Sequence, residues 1–152
     1  MKIHLPSYPN GIHEIIEDLK PSELDLSPAE FPEPIHVKAR LDRHDPYFDL
    51  RIKLATTAIA DCDRCLSETT ISIETENPLL FVMGQPPGGE PVDDDDITYV
   101  RQGTVELDLS SDVRDFLILA FTGRHLCSED CLGLCVNCGA NLNDGPCNCP
   151  TN

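Results

Sequence analysis

The chain has no tryptophan, and aromatic residues make up only 5% of its 152 positions. Its core must therefore come from Val, Ile and Leu rather than from large rings. Basic residues are scarce too: 11 Lys and Arg stand against 27 Asp and Glu, a formal net charge of −16. A surface of that sign repels phosphate backbones and anionic lipid, which argues against broad electropositive nucleic-acid binding and against membrane association. No apolar run approaches the about 20 residues that span a bilayer. Met1 to Leu5 holds one Lys and no apolar stretch of the signal-peptide kind, so a cytoplasmic protein is expected. G-x-S-x-G, a phosphate-cradling glycine loop and H-E-x-x-H are all missing, and no small-molecule substrate suggests itself. The chain reads as non-enzymatic.

Cysteine, by contrast, is plentiful: 8 residues, six of them crowded into the last quarter. The tail H-L-C-S-E-D-C-L-G-L-C-V-N-C-G-A-N-L-N-D-G-P-C-N-C is too short and too polar to bury a core, so something covalent must organise it. The element Gly133 to Gly139 has the form of a zinc knuckle, in which the Gly after the second Cys lets amide N–H groups point at the sulfurs. Cys135 and Cys138 make one chelating pair, Cys147 and Cys149 a tighter one. Together they complete a Cys₄ site, with zinc as the expected ion. Cys127 and Cys131, spaced for one helical turn, can replace the last pair or join Cys62 and Cys65 of the upstream C-D-R-C in a second site. One or two zinc ions fit this arithmetic. C-D-R-C alone also reads as a strand-turn feature with small buried thiols, and His125 reads as an exposed histidine rather than a ligand. Disulfides and reactive thiols are the other uses of 8 cysteines, disfavoured by the absence of a secretion signal and by the C-x-x-C and C-x-C spacings.

The rest of the chain reads as α+β, mainly an antiparallel sheet with one principal helix. Gly11 to Leu19 is ambiguous between strand and helix, inside a proline-broken, extended opening segment over residues 1–34. Ile35 to Leu41 and Tyr47 to Leu54 alternate apolar and polar residues with period two, the pattern of a sheet with one wet face. D-R-H-D-P at Asp42 to Pro46 supplies hairpin turn chemistry. Glu68 to Glu76 is a further strand, and Ile97 to Leu109 holds short strands around Gly103. A helix follows near residues 110–121, capped by Ser110, Ser111 or Asp112, with Val113, Phe116, Leu117 and Ala120 on one face. Residues 1–124 thus form a β-rich α+β domain with a flexible acidic loop at 84–96, and residues 125–152 form the cysteine-rich zinc-binding tail. The four consecutive Asp of that loop lack the spacing of a cation site.

If the two hairpin strands pair, Lys38, Arg40, Arg51 and Lys53 share one solvent face with His36. This is a candidate RNA or phosphate contact. The competing reading is cross-strand pairing with Asp49, Glu74 and Glu76.

C-D-R-C-L at Cys62 to Leu66 resembles the C-x-R-C-L of the YceD family, the large ribosomal RNA subunit accumulation proteins. The cysteine-rich tail resembles the end found in many of its members, with Val136 where Pro is usual. Val105 to Leu119 resembles the family's acidic-hydrophobic run into its helix. The resemblance implies an accessory factor in ribosome biogenesis that supports accumulation of large-subunit (23S) ribosomal RNA, with no catalytic residues. The acidic charge points to a ribosomal protein or assembly factor as partner, with ribosomal RNA met at the Lys38/Arg40/Arg51/Lys53 face. Two other classes of function suit the cysteines: a zinc-based redox switch or holdase, and a zinc-stabilised interaction module with another partner.

Overall fold

Alternation of burial along the strands builds the fold. The computed structural model describes residues 1–86 and 97–149. Strands β1 (Lys2–His4), β2 (Gly11–Leu19), β3 (Ile35–His44), β4 (Tyr47–Asp61), β5 (Glu68–Met83), β6 (Ile97–Val100) and β7 (Glu106–Asp108) precede helix α1 (Ser110–Phe121). β2 to β6 form one sheet in sequence order, and β1 pairs with β7 in a small second one. All pairings are antiparallel except β5 with β6, which run parallel.

Ile35, Val37, Ala39 and Leu41 of β3 and Phe48, Leu50, Ile52 and Leu54 of β4 are fully or almost fully buried. The residues between them stay wet, as period-two patterning requires. One sheet face is thus covered by Val113 and Leu117 of α1, Ile3 and Leu107 of the β1–β7 ribbon, and Leu24, Leu26 and Phe31 of the turns after β2. Among the described residues no element covers the opposite face. The chain start is tied in, because the Leu109 N–H donates to the Met1 carbonyl at 2.9 Å and the terminal ammonium donates to Ser110 Oγ.

Several expectations change. Gly11–Leu19 is a strand, held in register along β3 from Gly11↔Arg43 to Leu19↔Ile35. β3 runs on to His44, so the hairpin turn is tighter than Asp42 to Pro46. β5 continues past Glu76 to Met83, through Pro78. Among the described residues β6 pairs with β5 only from Leu80 on, beyond Pro78, whose missing N–H breaks no bond to it there. The short strands expected over Ile97 to Leu109 include β6, but its parallel direction is not legible in the sequence, since the connection through 84–96 sets it. That connection lies, from residue 87 on, outside the described residues, and so do the four Asp. The helix lacks the expected cap: its N-cap is Leu109, with no side-chain cap bond. Instead the Asp108 carboxylate accepts the Ser110 N–H at 3.0 Å. Ala120 is exposed, and Phe121 takes its place against the core.

Candidate metal centres and cationic face

The loop from β4 to β5 carries C-D-R-C and folds as a knuckle. The Leu66 N–H donates to the Cys62 carbonyl at 2.9 Å, and the Cys62 N–H donates to the Ser67 carbonyl at 2.9 Å. The tail knuckle repeats this pattern: Gly139 N–H to Cys135 carbonyl and Cys135 N–H to Ala140 carbonyl, both 2.8 Å. Leu66 at φ 58° stands where Gly139 stands at φ 73°. Left-handed backbone costs a leucine about 1–2 kcal/mol and glycine almost nothing. That missing glycine is why C-D-R-C reads weakly from sequence.

The eight sulfurs fall into two tetrads. Cys62, Cys65, Cys127 and Cys131 form one, and Cys135, Cys138, Cys147 and Cys149 the other; within each, all sulfurs lie within 4.8 Å of one another. Cys127 and Cys131 therefore partner C-D-R-C, not the tail pair, and they sit on a turn closed by Cys131 N–H to Ser128 carbonyl rather than on a helical turn. His125 belongs to neither tetrad. Its ring stacks on Phe121 and Nε2 lies 2.7 Å from the Phe121 carbonyl.

All eight cysteines are free thiols. Cys62 Sγ–Cys131 Sγ is 3.7 Å and Cys65 Sγ–Cys127 Sγ 3.6 Å. A tetrahedral ion with metal–sulfur bonds of about 2.3 Å requires sulfur–sulfur edges of about 3.8 Å, so the sulfurs are spaced to hold one. Each tetrad could hold a metal ion, and an all-sulfur tetrahedral set suits zinc.

The backbone prepares the sulfurs for this role. Burial pushes the Cys62 thiol up, but N–H groups of Cys127, Arg64 and Cys65 outweigh it and hold it at about 6. Cys135 is brought to about 6 by the N–H groups of Asn137 and Cys138. Cys131 is lowered chiefly by the Asn143 side-chain amide, which lies 3.4 Å from its sulfur. Cys127 rises to about 11 beside Cys131 and Cys65, and Cys149 to about 12 beside Cys138, because neighbouring sulfurs oppose a further negative charge. A cation among the four sulfurs removes that opposition.

The two centres differ in exposure and are joined. In the inner tetrad Cys62, Cys65 and Cys131 are buried and Cys127 is exposed; in the outer one Cys135 is buried, Cys138 exposed and Cys147 and Cys149 half-buried. Arg64 Nη1 donates to the Cys131 carbonyl at 2.8 Å and the Leu134 N–H to the Arg64 carbonyl at 3.1 Å. Asn143, from the loop of the outer centre, reaches the inner centre's Cys131 and accepts the Leu132 N–H at 2.8 Å.

The four basic residues lie on the sheet face opposite the core, around a cleft of about 290 Å³ that also touches Glu14 and Glu76. Lys38 pairs with Glu14 at 3.3 Å, Lys53 with Glu76 at 3.1 Å and Arg40 with Asp42 at 3.7 Å. Of the expected acidic partners, only Glu76 takes part; Asp49 lies opposite Asp42, and Glu74 opposite Ala55.

Among the described residues no helix is long and apolar enough to cross a membrane. The sequence model of the large ribosomal RNA subunit accumulation protein YceD matches residues 50–152. The chain is 39% identical over 56 residues to a chloroplastic YCED homolog 1 of Zea mays, and that match covers 37% of this chain and 19% of the relative. It is 36% identical over 58 residues to the Arabidopsis thaliana homolog, covering 38% and 18%. An uncharacterized Mycobacterium leprae protein is 22% identical over 132 residues, covering 87% of this chain and 60% of its own length. The chain thus spans less than a fifth of the two plant relatives. No solved structure matches. With more than half its length matched, including all eight cysteines, the chain belongs to the YceD family.

Proposed function

We propose that this chain is a non-enzymatic, cytoplasmic accessory factor in ribosome biogenesis that supports accumulation of large-subunit ribosomal RNA, with structural zinc in both tetrads. The family match over residues 50–152 carries the reading. The closed sulfur sets support a binding role, since four thiolates leave a zinc ion no open position for substrate. The inner tetrad gives the metal a mechanical task, clamping the tail to the β4–β5 loop. Two four-thiolate zinc centres add about −2 each, which favours basic ribosomal proteins or assembly factors over bare RNA everywhere except at the cationic cleft.

The test is sedimentation of a tagged chain from the cell that makes it. Co-migration with large-subunit precursors, and not with small subunits, is expected. Migration only with free protein overturns the reading. The redox switch draws support from one observation, an exposed thiol in each tetrad, Cys127 in the inner and Cys138 in the outer. Under the structural reading, mild peroxide leaves the inner zinc bound and exposes no apolar surface. Release of both ions with apolar exposure favours the switch.

A further inference from the structure

We propose that the cleft between Lys38, Arg40, Arg51 and Lys53 is an anion site that takes phosphate groups of an RNA backbone. The choice of RNA rests on the reading of the chain as a large-subunit ribosomal RNA factor; the phosphate site itself rests on geometry.

The strand register sets Lys38 directly opposite Lys53 and Arg40 directly opposite Arg51. Like charges facing each other across a sheet destabilise it. This happens in a chain where acidic residues outnumber basic ones 27 to 11, so opposite-charge partners are not in short supply. Glu14 and Glu76 also line the cleft, Glu14 opposite Arg40 and Glu76 opposite Lys53 in the register. Among the described residues their ion pairs are with the two lysines, and every side chain of those pairs is about half exposed. Such solvated pairs contribute little and exchange readily for a stronger anion. Arg40 reaches its carboxylate at 3.7 Å, and Arg51 has no ion pair among the described residues. Two guanidinium forks converging on one cleft match phosphate oxygens better than two ammonium groups would.

The chemistry of the lining also limits what is read. No aromatic side chain lines the cleft, so bases have no stacking platform there. Contacts to phosphate position a chain without reading sequence. The overall charge of −16 does not veto the site. At physiological salt, fields from distant carboxylates decay over about 8 Å, while the four cations act at contact distance. Binding is therefore weak, salt-sensitive and indifferent to sequence.

The experiment titrates a fluorescent single-stranded oligouridylate into the zinc-loaded full chain over a series of salt concentrations. Four contacts limit the slope of log affinity against log salt to about −2.8. Arg40→Gln/Arg51→Gln is expected to lower affinity at least tenfold and to reduce the slope by about 1.4, two contacts' worth. Its melting temperature is expected to hold or rise, because the opposed cations repel. A structural ion-pair role predicts the reverse. Glu14→Gln/Glu76→Gln is expected to tighten binding. Inorganic tripolyphosphate displacing the RNA supports phosphate recognition, whereas unchanged binding of the arginine variant overturns the site. Large-subunit precursors that retain the arginine variant fully place the contact on a protein partner and also overturn it, leaving the accessory role intact. If the quartet binds oligouridylate but the chain ignores precursors, the site stands and the ribosomal reading fails.

Discussion

Replacing Cys62 and Cys65 by Ser should free the tail from the sheet while leaving each folded. Four hydrogen bonds tie the β4–β5 loop to the tail: Asp63 N–H to His125 carbonyl, His125 N–H to Asp63 Oδ2, Arg64 Nη1 to Cys131 carbonyl and Leu134 N–H to Arg64 carbonyl. At about 1 kcal/mol net each they supply about 4 kcal/mol. Ordering about 25 tail residues costs at least about 25 kcal/mol in backbone entropy. Zinc in both tetrads, as proposed, would close that gap at about 10–16 kcal/mol per ion. With the inner ion lost, the four hydrogen bonds cannot hold the tail in place. Elemental analysis should give two zinc ions per wild-type chain and one in the variant. Hydrogen exchange should quicken at the Leu134 amide by at least about a thousandfold, the equivalent of losing about 4 kcal/mol. The amides of Cys135 and Gly139, bonded within the outer knuckle, should keep their protection. Retention of both ions, or a Leu134 amide as slow as in the wild type, would refute the clamp.

Three further outcomes follow from the same geometry. Asn143→Ala removes the amide beside Cys131 Sγ and should weaken zinc at the inner centre by about 10- to 100-fold in chelator competition, although Asn143 comes from the outer loop. A Cβ on Gly133 would lie 3.1 Å from the Arg64 carbonyl at φ +76°, whereas one on Gly139 meets nothing within 4 Å. Gly133→Ala should thus cost about 2 kcal/mol, and Gly139→Ala about 1 kcal/mol of backbone strain only, read by exchange at Leu134 and Cys135. The Ser110 hydroxyl and N–H, helped by Lys2, hold the Asp108 carboxyl below its ordinary value. A lowered carboxyl stabilises the fold above the unfolded value of about 3.9 and stops doing so as pH falls through the native one. Asp108→Asn should accordingly cost about 0.5 kcal/mol at pH 7, the exposed site being screened, and nothing in strong acid, as thermal melts at the two pH values would register.

The central hairpin was legible because Ile35 to Leu41 and Tyr47 to Leu54 alternate without interruption, and alternation can be buried on only one face. The same alternation puts Lys38, Arg40, Arg51 and Lys53 on one face. The outer tetrad was legible because its four ligands are neighbours in sequence and Gly139 advertises the knuckle. The inner tetrad is not legible in the sequence because its halves lie 62 positions apart, from Cys65 to Cys127, and only tertiary packing decides which pairs meet. Leu66 concealed the knuckle further by holding a glycine's conformation. β1 and its pairing with β7 are not legible for a related reason, although a short strand is expected where β7 lies. Three-residue strands carry almost no pattern, and their pairing from Lys2↔Asp108 depends on the whole intervening chain.

The most direct test of the account is depletion of this protein in the cell that makes it, with large- and small-subunit ribosomal RNA quantified together. The account predicts that large-subunit RNA falls relative to small-subunit RNA, and that wild type restores it while Cys62→Ser/Cys65→Ser does not. An unchanged ratio on depletion would contradict it.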